Sequence, residues 1–409
     1  MAHEELARFL HQPLQGRNIL LGLTASSSIY KSIDLARRLI RMGGNLRVVM
    51  TRRSLSLIGV DLVHWATGSK PFYEMSGETE HIDLAQWADA MVIAPATLNT
   101  MGKIAYGILD ELLTLTATTM MGSSKKVIIV PAMNIRLMSS PQYKNAAGKL
   151  EEYGAVIIPP LIEEDKAKYP PLDDLSHCID AIVNRGVDLK NRRILVTAGP
   201  TREYLDPVRI ITNPSSGLMG VLIARELACR GARVDLVHGP MTVKPPYLVK
   251  SIHVETTSDM ADKIRELTNE TIYDAAVFAA APADYKPASS SPEKISTRDK
   301  PYLEVRLEQT PKTIKSIANR PRILVAFAAE TCGGEKLVEK TLLKASDYGA
   351  DLVIGNNVLS SEAGFGKEML EIVAVAEGGI MDRGTRFKPE VARIIGDFIS
   401  RRLQACCGF

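Results

Sequence analysis

The chain has 409 residues, of which 45% are hydrophobic and 24% charged, values that fit two or three soluble globular domains and exclude a disordered or fibrous protein. Its formal net charge of +3 is too small to argue for nucleic acid, so any anionic ligand must be met by local basic residues. Cys178, Cys229, Cys332, Cys406 and Cys407 form no CxxC pair or metal-ligand spacing, and so sparse a set argues against a disulfide framework. No basic segment followed by an apolar core opens the chain, and no apolar run approaches the ~20 residues that span a bilayer. A cytoplasmic protein without a membrane segment is expected.

In chain order, residues 18–23 read as a strand, 30–42 as an amphipathic helix and 46–50 as a second strand. Buried strands follow at 91–94 and 127–130, with one helical stretch between them at 101–121, and 155–158 is a further candidate. The polar segment 184–193 (NRGVDLKNRR) reads as a hinge. After it come a strand at 194–197, a helix at 218–230, and strands at 234–237, 275–280, 323–328, 352–354 and 372–375. An amphipathic helix at 389–403 ends the pattern. Strands alternating with helices predict parallel sheets covered on both faces. The fold class is therefore α/β in two domains, 1–187 and 188–409, and no short-period repeat makes the halves copies of each other.

The sharpest local signal is TAGPTREYLDPVRIITNPSSGLMG at 197–220, a loop that leaves a strand and enters a helix. Ser215, Ser216 and Gly217 stand where a helix N-terminus offers free N–H groups, so the loop is either an anion site or a tight turn. No GxGxxG follows either first strand, which counts against a two-domain nicotinamide oxidoreductase. Lys340 and Lys344 share a helix face, where like charges repel unless an anion lies between them, although a solvated face is the commoner meaning of such a pair.

This loop resembles the signature of phosphopantothenate–cysteine ligases. The similarity continues through AAAPADYKP (279–287), EKI (293–295), VAFAAET (325–331), the two lysines and the GNN…GFG stretch (355–366). The resemblance implies a Rossmann-like ligase domain using CTP, with Mg²⁺ on the nucleotide phosphates, to join 4′-phosphopantothenate to cysteine. It implies that Asn213 steadies an acyl-nucleotide intermediate and that Lys294, on a mobile loop, approaches it. Asp284, Phe327, Lys340 and Lys344 would surround the nucleotide, and Ser215, Ser216 and Gly217 the substrate. The loop departs from the family in reading KISTRDK, with its next lysine at Lys300.

In the first half, GLTASSSIYKSIDLARRL (22–39), HIDLAQWADAMVIAPATLNTMGKIAYGILDELL (81–113) and PAMNIRLM (131–138) resemble the FMN-dependent phosphopantothenoylcysteine decarboxylases. That implies a flavodoxin-like (HFCD flavoprotein) fold with FMN held by Ser26, Thr51, Thr97 and Asn99. His81 matches the active-site histidine and Asn134 the asparagine that binds the substrate carboxylate. Many members carry a flap cysteine; here 157–174 reads IIPPLIEEDKAKYPPLDD, similar to archaeal-type bifunctional enzymes, with Lys166 and Lys168 as candidate substrate contacts. Cys178 is not promoted to the missing role.

Together the two motif sets imply one bifunctional enzyme of coenzyme A synthesis. The alternative is a ligase whose first domain is only a flavin-binding or oligomerising scaffold. Related domains imply a homo-oligomer, with ligase dimers and decarboxylase trimers closing into an assembly such as a dodecamer.

Overall fold

The computed structural model describes residues 12–296, 298, 301–360 and 367–405. The chain divides into two compact units, Met1–Val187 and Asp188–Phe409.

The strands of the first unit are β1 (Asn18–Leu23), β2 (Asn45–Met50), β3 (Ala90–Ala96), β4 (Lys126–Pro131), β5 (Met133–Asn134), β6 (Val156–Ile157), β7 (Leu161–Glu163) and β8 (Lys166–Lys168). Its helices are α1 (Lys31–Arg41), α2 (Val60–Thr67), α3 (Glu80–Trp87), α4 (Leu98–Tyr106), α5 (Leu112–Gly122), α6 (Ile135–Met138), α7 (Pro141–Glu152) and α8 (Leu172–Arg185). Five strands form a parallel sheet in the order β2-β1-β3-β4-β6. Every residue of β3 is buried, as a central parallel strand covered on both faces requires. α1 turns Leu35, Ala36, Leu39 and Ile40 inward, places Asp34 in its first turn and Arg38 and Arg41 in its last, and so agrees with the helix dipole.

Two sequence expectations need correction. The single helix expected over 101–121 is two helices, because Gly107 adopts φ +71° and closes α4. The segment between them is fastened by Lys103 Nζ, 2.8 Å from Asp110 Oδ2. The hinge expected at 184–193 is shorter, since Asn184 and Arg185 complete α8 and Arg193 opens the next strand.

The second unit contains β9 (Arg193–Ala198), β10 (Arg202–Tyr204), β11 (Ile210–Thr212), β12 (Arg233–His238), β13 (Lys250–His253), β14 (Ala275–Phe278), β15 (Tyr285–Pro287) and β16 (Leu307–Gln309). β17 (Ile323–Glu330), β18 (Leu352–Asn357), β19 (Met369–Ala376) and β20 (Gly379–Phe387) complete its strands. Its helices are α9 (Leu218–Cys229), α10 (Thr257–Glu270), α11 (Gly334–Tyr348) and α12 (Lys388–Ala405). The main sheet runs β13-β12-β9-β14-β17-β18-β19-β20. It is parallel as far as β18 and antiparallel through β19 and β20. Leu222, Ile223 and Leu227 of α9 join Val391, Ile395 and Ile399 of α12 on one face, and α10 buries Met260 and Ile264 against the other. Among the described residues, no helix is long and apolar enough to cross a membrane.

Arg230, only 1% exposed, follows α9 and gathers three carboxylates. Its Nη1 lies 2.7 Å from Asp397 and 3.3 Å from Glu226, and its Nη2 lies 2.6 Å from Asp188. Removing one side of such a buried cluster strands the other. Arg230→Met is expected to cost about 3–5 kcal/mol, read from the urea unfolding transition of this unit; a change within about 0.5 kcal/mol, the usual range for a surface substitution, would contradict the account.

Candidate functional site

In both units most of the candidate residues gather where parallel strands end, with Lys294 and His81 outside those groups. That edge is where open α/β sheets hold ligands.

In the second unit, Gly217 precedes α9 with φ +81°, and a Cβ there would fall 2.2 Å from Met241 Sδ. At Gly220 a Cβ would come within 2.5 Å of Ala198 Cβ, so α9 lies directly on the end of β9. The loop before the helix is held by Asn213, whose Nδ2 donates to Ala281 O (3.2 Å) and Pro282 O (3.0 Å) beyond β14. Between these loops and β17 lies a cavity of about 370 Å³, lined among others by Asn213, Asp284, Lys312, Phe327, Lys344 and Tyr348.

The charges in and around this cavity are not equivalent. Lys312 Nζ lies 2.6 Å from Asp284 Oδ1, a hydrogen bond that raises the lysine's pKa. Lys340 Nζ lies 2.6 Å from Glu330 Oε2, which likewise raises its pKa. The lysine pair on α11 therefore needs no bound anion to balance it, because Glu330 already neutralises Lys340. Lys344 faces the cavity and stacks over Tyr348, 5.5 Å from the ring centre.

Phe327 also borders a second cavity of about 80 Å³, whose wall includes Ser215, Ser216, Asn356 and Lys388. Ser215 Oγ accepts from Gly217 N (3.4 Å) and Ser216 Oγ from Leu218 N (3.3 Å), so both serines brace the helix start. Sequence reasoning missed Lys312 and Lys388. A cation opening a helix, against the dipole, was the available signal for Lys388.

Lys294 stands apart. It is exposed and lines neither cavity, although the residue after it is firmly held. Ile295 N donates to Asp206 Oδ2 (3.1 Å), and Ile295 O accepts from Arg209 Nη1 (3.0 Å). Asp206 also accepts from Val208 N (2.8 Å), Arg209 N (2.7 Å) and Arg209 Nη1 (2.5 Å). Desolvation opposes the Asp206 charge, but these donors outweigh it and hold the carboxyl far below the usual carboxylate range. Lys300 and residues 361–366, which include GFG, lie outside the described residues.

In the first unit, Thr24 Oγ1 donates to Pro95 O (2.7 Å) and accepts from Thr97 N (3.1 Å), locking the ends of β1 and β3 together. Ser26 Oγ reaches Ala132 O just beyond β4 (3.4 Å). Thr51 N donates to Leu23 O (3.0 Å), drawing in the end of β2. Ser26, Thr51 and Thr97 thus share one strand-end edge, with Asn99 exposed on the first turn of α4. Among the described residues Thr51 Oγ1 is buried with no hydrogen-bond partner, which suits a site completed by an oxygen-rich ligand such as a flavin phosphate.

Asn134 Oδ1 accepts from Arg136 N (2.9 Å), which leaves Nδ2 as the donor of that amide. The flap segment is a hairpin. Glu164 and Asp165 form its turn at φ +49° and +58°, and β8 pairs with β5 so that Asn134 opposes Lys166. Lys168 lies 3.2 Å from Glu163 and 3.0 Å from Glu164, so it braces the hairpin, while Lys166 is the exposed cation beside Asn134. His81 is half-buried on the first turn of α3, and no hydrogen bond links it to this group among the described residues.

Two family models cover nearly the whole chain. "Flavoprotein" matches residues 9–184, and "DNA/pantothenate metabolism flavoprotein C-terminal domain" matches 189–403. The coenzyme A biosynthesis bifunctional protein CoaBC of Thermococcus kodakarensis is 35% identical over 397 residues, 95% of this chain and 96% of that protein. The protein of the same description from Vibrio cholerae is 33% identical, covering 87% of this chain and 90% of its own. A crystal structure of the C-terminal domain of a CoaBC is 31% identical, covers 53% of this chain and 98% of that one, and has a TM-score of 0.44.

The Asp206 clamp has an acid-side signature. Because the folded pKa is depressed, its stabilisation is complete above the unfolded carboxylate value, about pH 4, and is withdrawn as the pH falls through the folded value. Asp206→Asn is expected to lower stability at pH 7 and to flatten the loss of stability between about pH 4 and pH 2. Unfolding curves across that range check it, and parallel slopes in the two proteins would contradict it.

Proposed function

The chain belongs to the family of coenzyme A biosynthesis bifunctional proteins, and from that premise we propose how its two units divide the work. The second unit is the phosphopantothenate–cysteine ligase, and the first is the flavin-dependent phosphopantothenoylcysteine decarboxylase. The observation that carries the ligase assignment is one cavity at a parallel strand edge where Asn213, Asp284, Phe327 and Lys344 meet from four separate segments.

There the carboxylate of 4′-phosphopantothenate attacks the α-phosphorus of CTP and pyrophosphate leaves. The cysteine amine then attacks the acyl carbonyl and expels CMP, forming the amide. Such chemistry needs positioning and charge neutralisation rather than covalent help from the protein. Asn213 fixes the loops around the reacting carboxyl, Lys344 faces the nucleotide phosphates, and Glu330 keeps Lys340 at the rim. We assign Mg²⁺ to the nucleotide's own phosphates. Lys294, anchored next to the Asp206 clamp, swings over the intermediate once substrate is bound.

In the first unit, FMN held by Ser26, Thr51, Thr97 and Asn99 would take two electrons from the thiol-bearing carbon to ease loss of CO₂ and return them afterwards, so that no net oxidation remains. Asn134 presents Nδ2 to the substrate carboxylate, with Lys166 opposite it adding positive charge. His81 supplies an imidazole for proton transfer. We propose that it meets the flavin of a second copy in a homo-oligomer built from decarboxylase trimers and ligase dimers. Exposed Leu57, Trp65 and Ile82 support such an association. The pathway's use of free cysteine favours a cytoplasmic setting.

The test incubates the purified chain with 4′-phosphopantothenate, cysteine, Mg²⁺ and CTP and follows both products by mass spectrometry. 4′-Phosphopantetheine is expected, which would show that the hairpin needs no cysteine. His81→Asn and Asn134→Ala are expected to stop at phosphopantothenoylcysteine, with decarboxylation down about 10²-fold or more and ligation intact. Unchanged decarboxylation in both variants would sink the site assignment.

A further inference from the structure

We propose that Lys388 is the phosphate anchor of the ligase unit, its ammonium holding the phosphate monoester of the substrate against the N-terminus of α9. The proposal rests on the ligase reading above and deepens it.

Two independent observations meet at this point. The first is the helix start, where Ser215, Ser216, Leu218 and Met219 line the cavity and α9, twelve residues long, stands behind it. Such a terminus favours anions through its dipole. The second is Lys388 itself. It is the first residue of α12 and is 5% exposed, and its backbone N is fixed by Glu368 O at 3.0 Å. Its side chain lines the same cavity as Ser215, Ser216 and Asn356. Among the described residues no hydrogen bond or ion pair engages that side chain. Burial pushes its pKa down, as expected of an ammonium lacking its anion. A buried cation without a partner is unfavourable unless a ligand supplies the opposite charge.

The phosphate could come from the pantothenate derivative or from the nucleotide, and the layout favours the former. Lys312, Lys344 and Asp284 line the larger cavity, whereas Lys388 is the only ionisable group lining the smaller one among the described residues. The two cavities share Ala280, Ala281, Phe327 and Ala329 as a wall. 4′-Phosphopantothenate carries its carboxylate at one end and its phosphate at the other. A molecule that reacts beside Asn213 can therefore lay its phosphate behind Phe327.

The experiment compares the full chain with Lys388→Met, which keeps the shape and removes the charge, and with Lys388→Arg, which restores the charge. Initial ligation rates are measured against 4′-phosphopantothenate, against CTP, and with unphosphorylated pantothenate as acceptor. Lys388→Met is expected to raise KM for 4′-phosphopantothenate about 10- to 100-fold, the range for a lost hydrogen bond to a charged group. KM for CTP should stay within about twofold, as should the use of pantothenate, so the preference for the phosphorylated acceptor collapses. Lys388→Arg should recover part of it. The ligand-free Lys388→Met protein should melt at or above the wild-type temperature, because it loses an unpaired buried charge. An unchanged KM and preference would overturn the proposal. So would a lower melting temperature with every KM disturbed, or a rise confined to CTP, which would move Lys388 to the nucleotide. A wild-type chain that forms no phosphopantothenoylcysteine would remove the ligase reading and this proposal with it.

Discussion

The close seating of α9 on β9 sets the terms for the second unit. At Gly220 a Cβ would fall 2.5 Å from Ala198 Cβ, and at Gly217 one would fall 2.2 Å from Met241 Sδ. Only glycine lets the helix start directly above the strand end. The amide of Asn213 then spans to Ala281 and Pro282, bringing the β14 loop to the same edge. Phe327, on the neighbouring strand β17, separates the space into two cavities. A side chain at Gly220 would meet the backbone of Thr197 and Ala198 and so move the helix start, whereas one at Gly217 would meet the Met241 side chain and a strained φ of +81°.

Around that seat the charges divide into those already satisfied and those held ready. Lys312 and Lys340 have carboxylates at 2.6 Å, and Asp206 is saturated with donors, so these groups hold the walls and loop bases in place. Lys344 rests on an aromatic face, and Lys388 is buried with no partner among the described residues. On the proposed reading both kinds are needed, because full neutralisation would leave nothing for an anionic ligand and none would leave the walls unstable. The first unit follows the same logic, with Lys168 tied inside the hairpin and Lys166 exposed opposite Asn134.

Much of this was legible in the sequence where local pattern and burial agree. β1, β3, β4 and β9 are apolar runs buried on both faces, and α9 and α12 carry helical periodicity that the core uses directly. The α/β class and the family resemblance followed from these. Other features depend on partners distant in sequence or on unusual backbone. The 161–168 hairpin is polar and turns through Glu164 and Asp165 at positive φ, where asparagine or glycine would have signalled a turn. The split of α4 from α5 hinges on one glycine inside an otherwise helical pattern. Lys340 looked like half of a phosphate clamp, and only the fold reveals Glu330 beside it, ten residues earlier on β17. Lys388 carried only the signal of a cation at a helix start, and its isolation is visible in the packing.

The central claim is that one polypeptide joins cysteine to the substrate and then removes that cysteine's own carboxyl group. Supplying cysteine labelled with ¹³C in the carboxyl position, together with 4′-phosphopantothenate, Mg²⁺ and CTP, tests this most directly. The account predicts labelled CO₂ that follows CMP in time and equals it in amount at completion. CMP without labelled CO₂ would contradict the bifunctional account, and the absence of CMP would contradict the ligase assignment at its root.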